Sequence, residues 1–246
     1  MREIADPFFA EFIDELSIQA HALGYQVLLG HAHGNVEEGL VVTELLDARH
    51  CDGLLVLGDL RNDEAALSDM LQANPAVAAL CRGNSPAAIP TVNADNSQGI
   101  RLLAEHLINL GHRRLAFLDG GWLGDIRERL EAFVAALADH NLDLPSAWIQ
   151  AESNNAEGGC RAMQSLLALP ERPTAVIASD DLMAIGALRA AKEAGLHVPH
   201  DISLAGFDDI VISRYFSPAL TTVRQPVKDM CRKALDILLR LIDGQE

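Results

Sequence analysis

The sequence is poor in basic residues. Nineteen Lys and Arg stand against 35 Asp and Glu in 246 residues, so the formal net charge is −16 and the isoelectric point is about 4.8. Proteins bind nucleic acid largely through cationic groups that displace counterions from the phosphates. We therefore expect these 246 residues alone not to bind DNA.

The chain also lacks the patterns of a metal site or a disulfide framework. Its four cysteines, at positions 51, 81, 160 and 231, are far apart, with no CxxC pair and no His spacing that completes a zinc site. His31 and His33 share one side of a predicted strand end, but no further ligand accompanies them, so a polar loop is favoured. We predict free thiols in a reducing compartment and no bound metal.

Long apolar runs are absent. No stretch approaches 18 consecutive apolar residues, and the opening MREIADPFFAEF contains no apolar segment typical of an export signal. The sequence thus predicts neither membrane insertion nor export, and it favours a cytoplasmic location.

Catalytic signatures are missing too. No Ser-His-Asp or Cys-His set can be assembled from local motifs, and GGWLG at 120–124 matches no phosphate-binding loop. We expect the chain to be neither an enzyme nor the holder of a cofactor.

Strand-like and helix-like segments alternate along most of the chain, which indicates the α/β class, with parallel sheets flanked by helices. The first series contains an opening helix that closes at Gly24, QVLLG, a helix near 36–49, DGLLVLG, a helix near 63–73, AVAAL and PTVNA. The second contains helices near 97–110, 125–140 and 156–168 around RRLAFLDG and WIQAE, then the segments described next, and a final helix at about 227–242. Each series supplies one sheet.

The stretch SDDLMAIGALRAAKEAGLHVPHDISLAGFDDI, at 179–210, carries two acidic pairs directly after short apolar runs. Apolar residues at helical spacing, with Gly195 where a left-handed residue closes a helix, predict a helix between two strands. Asp180-Asp181 and Asp208-Asp209 therefore follow the carboxyl ends of strands, where ligands bind in open α/β sheets.

The region 174–227 closely resembles the effector-binding region of LacI/GalR-family bacterial transcription regulators. In that family the stretch just quoted leads to a segment like SPALTTVRQPV, and DPFFAEF, CDGLLVLG, VNADNSQG and HLINLGHRRLAFLDGG resemble further family segments in order. The resemblance covers essentially the whole chain. It implies a two-lobe fold like that of type I periplasmic binding proteins, each lobe a parallel sheet flanked by helices, with the ligand cleft between the lobes.

The resemblance also implies how the chain is divided. Residues 1–96 with 224–246 would form the N-terminal lobe, and residues 97–223 the C-terminal lobe. Family members carry an N-terminal helix-turn-helix and a hinge helix, which have no counterpart here, and the first and last strands of the N-terminal lobe have none either. We expect a fragment that forms homodimers and meets operator DNA only through the absent helix-turn-helix.

Several effector-binding residues follow from the resemblance. Phe8 and Phe9, in DPFF, match a family aromatic at the cleft mouth, with plain core as the alternative. Arg129, in RERLEAF, matches an arginine that reaches into the cleft, although Ala132 stands where the family usually has Gly. Asp59, after DGLLVLG, is a strand-end acid, with an ordinary loop acid as the alternative.

Each acidic pair is expected to divide its roles. Asp180, at a position that is usually Asn in the family, and Asp208 match residues that face the ligand, and charged acceptors there suit hydroxyl or amino groups. Asp181 is expected to cap the helix that it opens, and Asp209 to be a turn residue.

Asn154 departs from the family. It lies five residues before Gly159, at a place where many members have an aromatic that stacks on the effector. Because an Asn cannot stack in this way, we expect a polar or smaller effector.

These observations predict the effector-binding and dimerisation domain of a LacI-type regulator, a repressor that senses a small polar molecule such as a sugar or nucleoside. Two alternatives from other classes remain. One is a periplasmic solute-binding protein, which shares the two-lobe plan, and the other is an enzyme with a doubly wound sheet.

Overall fold

The computed structural model describes residues 6–30, 51–58, 76–81, 89–121 and 124–245. The chain divides into two compact units, Met1–Ala94 with Pro226–Glu246 and Asp95–Gln225. The predicted helices near 36–49 and 63–73, and the candidates Asp59, His31 and His33, lie outside the described residues.

The described part of the first unit is a parallel sheet with two helices. Its strands follow the order of the sequence across the sheet: β1 (Leu54–Leu57), β2 (Val77–Leu80) and β3 (Thr91–Val92). Asp6 is the N-cap of helix α1 (Pro7–Ala22), and its carboxylate accepts a hydrogen bond from the Phe8 amide at 3.0 Å. The chain's last helix (Val227–Ile242) contacts α1, and Leu238 packs with Ala76 and Ala78.

The expected strand QVLLG is wrong. Residues 25–30 have no regular secondary structure, and Leu28 is 64% exposed. A strand is stabilised by the hydrogen-bond ladder of a neighbour, and no described strand pairs with this stretch. Its apolar composition alone therefore did not define its conformation.

The second unit is a five-stranded parallel sheet with helices on both faces, in the strand order β5-β4-β6-β7-β8. The strands are β4 (Leu115–Asp119), β5 (Ile149–Ala151), β6 (Ala175–Ala178), β7 (Ser203–Asp208) and β8 (Thr221–Arg224). The helices are α2 (Asn96–Asn109), α3 (Gly124–Asp139), α4 (Ala156–Leu167) and α5 (Asp181–Glu193), and the last helix, already given, is α6. Short 3-10 helices span Ser146–Trp148 and Val211–Tyr215. The α/β class and the parallel sheets are confirmed, and helices α2, α3, α4 and α6 lie within one residue of their predicted bounds.

The central strands of this sheet are apolar on both faces. Along β4, Leu115 and Phe117 pack in the cluster that contains residues of α2 and α3, whereas Ala116 and Leu118 pack in the cluster that contains residues of α4 and α5. Strands covered on both faces lose the polar alternation of half-exposed strands. The central strands are thus buried, and the polar groups near them are concentrated where the strands end.

Helices α4 and α5 approach each other closely through glycines. A Cβ atom on Gly159 would overlap the backbone of Met183, and one on Gly186 would overlap the carbonyl of Ala156. The predicted end of α5 is also confirmed, because Gly195 has φ +77° and its amide donates to the Lys192 carbonyl. The close contacts of Gly159 and Gly186 place the start of α5 beside the start of α4.

None of the helices in the described part of the chain is both long enough and apolar enough to cross a membrane.

Candidate functional site

The five strands of the second unit are parallel, so their carboxyl ends meet at one edge of the sheet. Polar side chains end or follow each of these strands. They are Asp119, Asn154, Ser179 with Asp180, Asp208, and Gln225. The candidate site lies at this edge and consists of residues of the second unit alone.

Arg129 of α3 occupies the centre of the site and is only 3% exposed. Its Nε donates to Asn96 Oδ1 at 2.9 Å, and its Nη1 donates to the Ser179 carbonyl at 2.6 Å. The guanidinium carbon lies 3.8 Å from the centroid of the Phe207 ring, a distance typical of a cation–π contact. The planar guanidinium group is thus held by two hydrogen bonds along its edges and by the Phe207 ring against one face.

Arg129 also meets two acids. Its Nη2 lies 3.4 Å from Asp208 Oδ1 and 3.7 Å from Asp125 Oδ2. Asp208 accepts a further hydrogen bond, from Gln225 Nε2 at 2.7 Å. A buried charge needs such partners because removal from water is costly. The predicted candidates Arg129 and Asp208 are therefore brought together by the fold.

Burial raises the pKa of Asp208 well above its ordinary value of 3.8, and the nearby Asp180 and Asp181 raise it further. Arg129 and Gln225 oppose that rise by stabilising the carboxylate, without cancelling it. Asp208 thus carries a proton more readily than an exposed aspartate does.

The structure reverses one expectation for the first acidic pair. Asp180, not Asp181, is the N-cap of α5, and its Oδ1 accepts a hydrogen bond from the Met183 amide at 2.8 Å. An N-cap residue has extended backbone angles, and Asp180 has φ −147° and ψ 174°, whereas Asp181 is already the first helical residue. The predicted cap was therefore one residue too late, and the predicted effector contact of Asp180 remains a prediction.

Asp181 has a different role from the helix cap that was predicted for it. Its side chain is fully buried and accepts hydrogen bonds from Ile210 N at 2.9 Å, Ser213 Oγ at 2.7 Å and Thr222 Oγ1 at 2.5 Å. Burial raises its pKa to about 6, although these hydrogen bonds oppose the rise. The carboxylate connects α5 to the segments on either side of the Ser217-Pro218 turn, far away in sequence.

Asn154 lies beside Ser179 in this site. Its Oδ1 accepts a hydrogen bond from Ser179 Oγ at 3.2 Å, and a Cβ atom on Gly120 would overlap the same oxygen. Its Nδ2 is buried and has no hydrogen-bond partner among the residues that the structure describes. A buried donor without an acceptor costs free energy, and such groups need an explanation in a native structure. A ligand oxygen is one acceptor that would satisfy it.

Phe8 and Phe9 lie in the first unit, away from these second-unit residues in the chain. They are 4% and 3% exposed, and their ring centroids are 5.5 Å apart. Phe8 also makes an edge contact with Phe12 at 5.1 Å. Both rings thus pack in the core on α1. An effector contact by Phe8, Phe9 or Asp59 remains a prediction.

Several residues of the site were not identified from the sequence. Asn96, Asp125 and Gln225 contact Arg129 or Asp208, and Ser179 supplies a carbonyl to Arg129. Ser179 and Gln225 directly follow β6 and β8, so the strand-end argument would have found them. Asn96 and Asp125 lie on helices, and no local pattern distinguishes them. Within the described ranges, no three His, Cys, Asp or Glu side chains come together as a metal site requires.

Comparisons with known proteins identify the family of the chain. Residues 104–246 match the model of a periplasmic binding protein-like domain. The HTH-type transcriptional repressor PurR of Erwinia tasmaniensis is 37% identical over 243 residues, which cover 97% of this chain and 71% of that protein.

Solved structures show the same fold. A LacI family transcriptional regulator from Mycobacterium smegmatis is 29% identical with a TM-score of 0.89, and the match covers 100% of this chain and 90% of that one. A LacI family transcriptional regulator from Lactobacillus casei with bound glucose is 26% identical with a TM-score of 0.86. That match covers 100% of this chain and 93% of the other.

The fold and the strand-end site thus define a periplasmic-binding-protein-like effector-binding domain. The chain belongs to the LacI/GalR family of transcription regulators, and it is the effector-binding domain of a repressor-type regulator. The alternative of a periplasmic solute-binding protein is not favoured, and the relatives are transcription regulators rather than enzymes.

Proposed function

We propose that this domain binds a small, polar effector that is neutral or cationic and rich in hydroxyl or amino donors. The observation that carries the proposal is the buried contact between Arg129 and Asp208 at the carboxyl edge of the second-unit sheet. Even a well-partnered buried ion pair often contributes little net stability, because removing both charges from water is costly, and ligands bind at the carboxyl edge of such a sheet, so the pair supports a binding role.

The charge of the site supports a donor-rich effector. Asp125, Asp180 and Asp208 surround or adjoin a single described cation, Arg129, whose fork is already occupied by Asn96, the Ser179 carbonyl, Asp125 and Asp208. An anionic effector would meet several acceptors and few free donors, whereas hydroxyl or amino groups can donate to the carboxylates.

Asn154 adds a requirement for one acceptor. Its Nδ2, which has no partner in the described part of the chain, suits a hydroxyl or carbonyl oxygen of the effector, which would remove the cost of the buried donor. Sugars and nucleosides provide both kinds of group. The glucose in the Lactobacillus casei relative is consistent with this class, which fits the prediction of a sugar or nucleoside.

The effector would act by population shift. We propose that the two compact units are the two lobes implied by the family, and that the effector prefers one of their arrangements. A ligand shifts such an equilibrium only by its differential affinity for the two states. The domain would act as a homodimer in the cytoplasm without catalysis, and with a net charge of −16 it would leave operator contact to a helix-turn-helix beyond these residues.

A thermal-shift screen with matched neutral and anionic compounds tests the proposal. D-glucose is compared with D-glucuronate, and adenosine with adenosine monophosphate, alongside polyols and small dicarboxylic acids. An effector at 100 times its dissociation constant adds about 2.7 kcal/mol to the free energy of unfolding. We expect stabilisation by a neutral member of the panel, and stabilisation by the anionic compounds alone would contradict the proposal.

Arg129→Lys supplies the site variant for this screen, because it keeps the charge but loses the planar fork. We expect the affinity for the stabilising compound to fall about tenfold or more, the worth of a hydrogen bond to a charged group. Arg127→Lys is the matched control, because Arg127 lies on the same helix and its side chain is 76% exposed. Equal binding by both variants would exclude Arg129 from the site.

A further inference from the structure

Asp208 and Asp209 form a turn with an unusual backbone. Their φ angles are +110° and +52°, both in the positive region that residues other than glycine rarely adopt. A backbone of this kind is unfavourable and persists only where the surrounding structure holds it. The turn therefore requires anchoring, and Asp208 can face Arg129 only while the turn is held.

The carboxylate of Asp181 anchors both peptide groups that follow Asp208. The Ile210 amide donates directly to Asp181 Oδ2 at 2.9 Å. The Asp209 amide donates to Thr222 Oγ1 at 3.3 Å, and the same hydroxyl donates to Asp181 Oδ1 at 2.5 Å. One buried side chain thus fixes two successive amides, one of them through a single hydroxyl group.

A second anchor of the turn is exposed to solvent. Arg224 Nε donates to Asp209 Oδ2 at 2.5 Å, and the Arg224 side chain is 72% exposed. Exposed ion pairs contribute little because water screens them. The fully buried Asp181 is therefore the stronger constraint on the turn.

Strand β7 leaves room for this carboxylate. A Cβ atom on Gly206 would overlap Asp181 Oδ1, so only glycine at this position admits the side chain. The strand that carries Asp208 thus accommodates the Asp181 side chain through Gly206.

We infer that Asp181 is a positioning residue for the effector site: it holds the Asp208-Asp209 turn so that the Asp208 carboxylate faces Arg129, and it does not itself contact the effector. The inference rests on the proposed function in one respect, since it takes Asp208 as part of the effector site.

Residue-resolved amide hydrogen exchange on the whole chain tests this inference without an effector. Asp181→Asn keeps the side-chain shape but replaces one acceptor oxygen with an NH₂ donor, which opposes the donors that now meet it. We expect exchange at Asp209 and Ile210 to become at least about tenfold faster, while the amides of the β4 and β6 core keep most of their protection.

Thr222→Val provides a second variant if Asp181→Asn does not fold. It removes only the hydroxyl link, so exchange should accelerate at Asp209 and not at Ile210. Asp180→Asn is the matched control. It removes a neighbouring negative charge and keeps an oxygen that can cap α5, so exchange at Asp209 and Ile210 should remain as in the parent.

A spectroscopic signature distinguishes positioning from a general loss of stability. The side-chain NMR signal of the Arg129 guanidinium, whose Nη2 lies 3.4 Å from Asp208, should shift in Asp181→Asn in the same direction as in Asp208→Asn. An unchanged Arg129 signal, unchanged exchange at Asp209 and Ile210, or equal acceleration throughout the sheet would each overturn the inference. Because no effector is used, these results stand independently of the ligand screen that tests the proposed function.

Discussion

Asp180 and Asp181 are adjacent and chemically identical, yet their surroundings differ. Asp180 has an extended backbone and accepts from the Met183 amide, whereas Asp181 is the first helical residue and accepts from Ile210, Ser213 and Thr222. The consequences for mutation therefore differ at these two positions. Loss of the first removes a helix cap, and loss of the second removes a buried tertiary anchor.

Asp180→Ala should lower the free energy of unfolding by about 0.5–2 kcal/mol, because the Met183 amide loses its acceptor. Denaturant unfolding measures this effect. Asp180→Ser is the control, since serine is also a good N-cap and should recover most of the stability. Titration calorimetry of the Ser variant with the compound from the screen then tests the predicted effector contact. Unchanged stability in Asp180→Ala would contradict the capping role.

At the scale of the element, the position of α5 depends on contacts at its two neighbours, α4 and β7. Gly159 and Gly186 bring the backbones of α4 and α5 together, and Gly206 lets β7 approach Asp181. Glycine in a helix is intrinsically unfavourable by up to about 1 kcal/mol relative to alanine. The close approach of the two helices outweighs that cost here.

Gly159→Ala should destabilise the domain by about 1–3 kcal/mol or more, despite the better helix propensity of alanine, because the added Cβ overlaps the Met183 backbone. Equilibrium unfolding in guanidinium chloride checks the expectation. Ser165→Ala, at an exposed position of the same helix, should change the stability only slightly. A stabilised Gly159→Ala variant would show that the helices can separate at little cost.

His112 connects the segments that enter two strands of the second sheet. Its Nδ1 lies 2.9 Å from Thr174 Oγ1, just before β6, and its Nε2 lies 3.0 Å from Ser203 Oγ, at the start of β7. Burial lowers its pKa from the ordinary value of 6.5. The folded state therefore prefers the neutral imidazole more than the unfolded state does.

The stability that neutral His112 contributes to the folded state should be fully present above pH 6.5. It should be lost as the pH falls toward the lower pKa of folded His112. Denaturant unfolding at pH 7.5 and 5.5 should show that the parent loses more stability between these values than His112→Gln does. Comparison of the two proteins cancels the opposite contribution of Asp181, whose raised pKa disfavours folding as the pH increases from about 4 to about 6. An identical pH dependence in both proteins would refute the role of His112.

At the scale of the whole molecule, the second unit carries exposed apolar residues beside the site. In the 3-10 helix Val211–Tyr215, Val211 and Ile212 are exposed and Tyr215 is 76% exposed. Apolar side chains that cluster on a surface are typical of interaction sites. Regulators of this family act as dimers, which makes a second copy of the chain the expected partner of this segment.

Tyr215→Asp should weaken the predicted homodimer by about thirtyfold or more, because an exposed tyrosine at an interface is a common hot spot and a buried carboxylate there lacks a partner. Sedimentation equilibrium at micromolar concentrations measures the change. Leu102→Asp replaces another exposed apolar residue, on α2, and should leave the dimer unchanged. If the parent is a monomer, or if only Leu102→Asp dissociates it, the assignment of this surface is wrong.

The amino-acid sequence alone determined the features that depend on neighbouring residues. Apolar periodicity located α2, α3, α4 and α6 within one residue, and Gly195 marked the end of α5. The order of the family segments identified the family, and the strand-end argument brought Asp180 and Asp208 to one edge of the sheet.

Tertiary structure decided the features that depend on distant residues. The composition of QVLLG predicts a strand, but a strand is stabilised only by hydrogen bonds to a neighbouring strand, which its own residues do not supply. The two members of the pair Asp180-Asp181 are equivalent as a local pattern, because either can precede a helix. Only the folded chain brings the donors of Ile210, Ser213 and Thr222, 29 to 41 residues away, to the space beside Gly206. Those donors hold Asp181 in the core and leave Asp180 as the cap, because a buried carboxylate is stable only where hydrogen bonds replace its lost water.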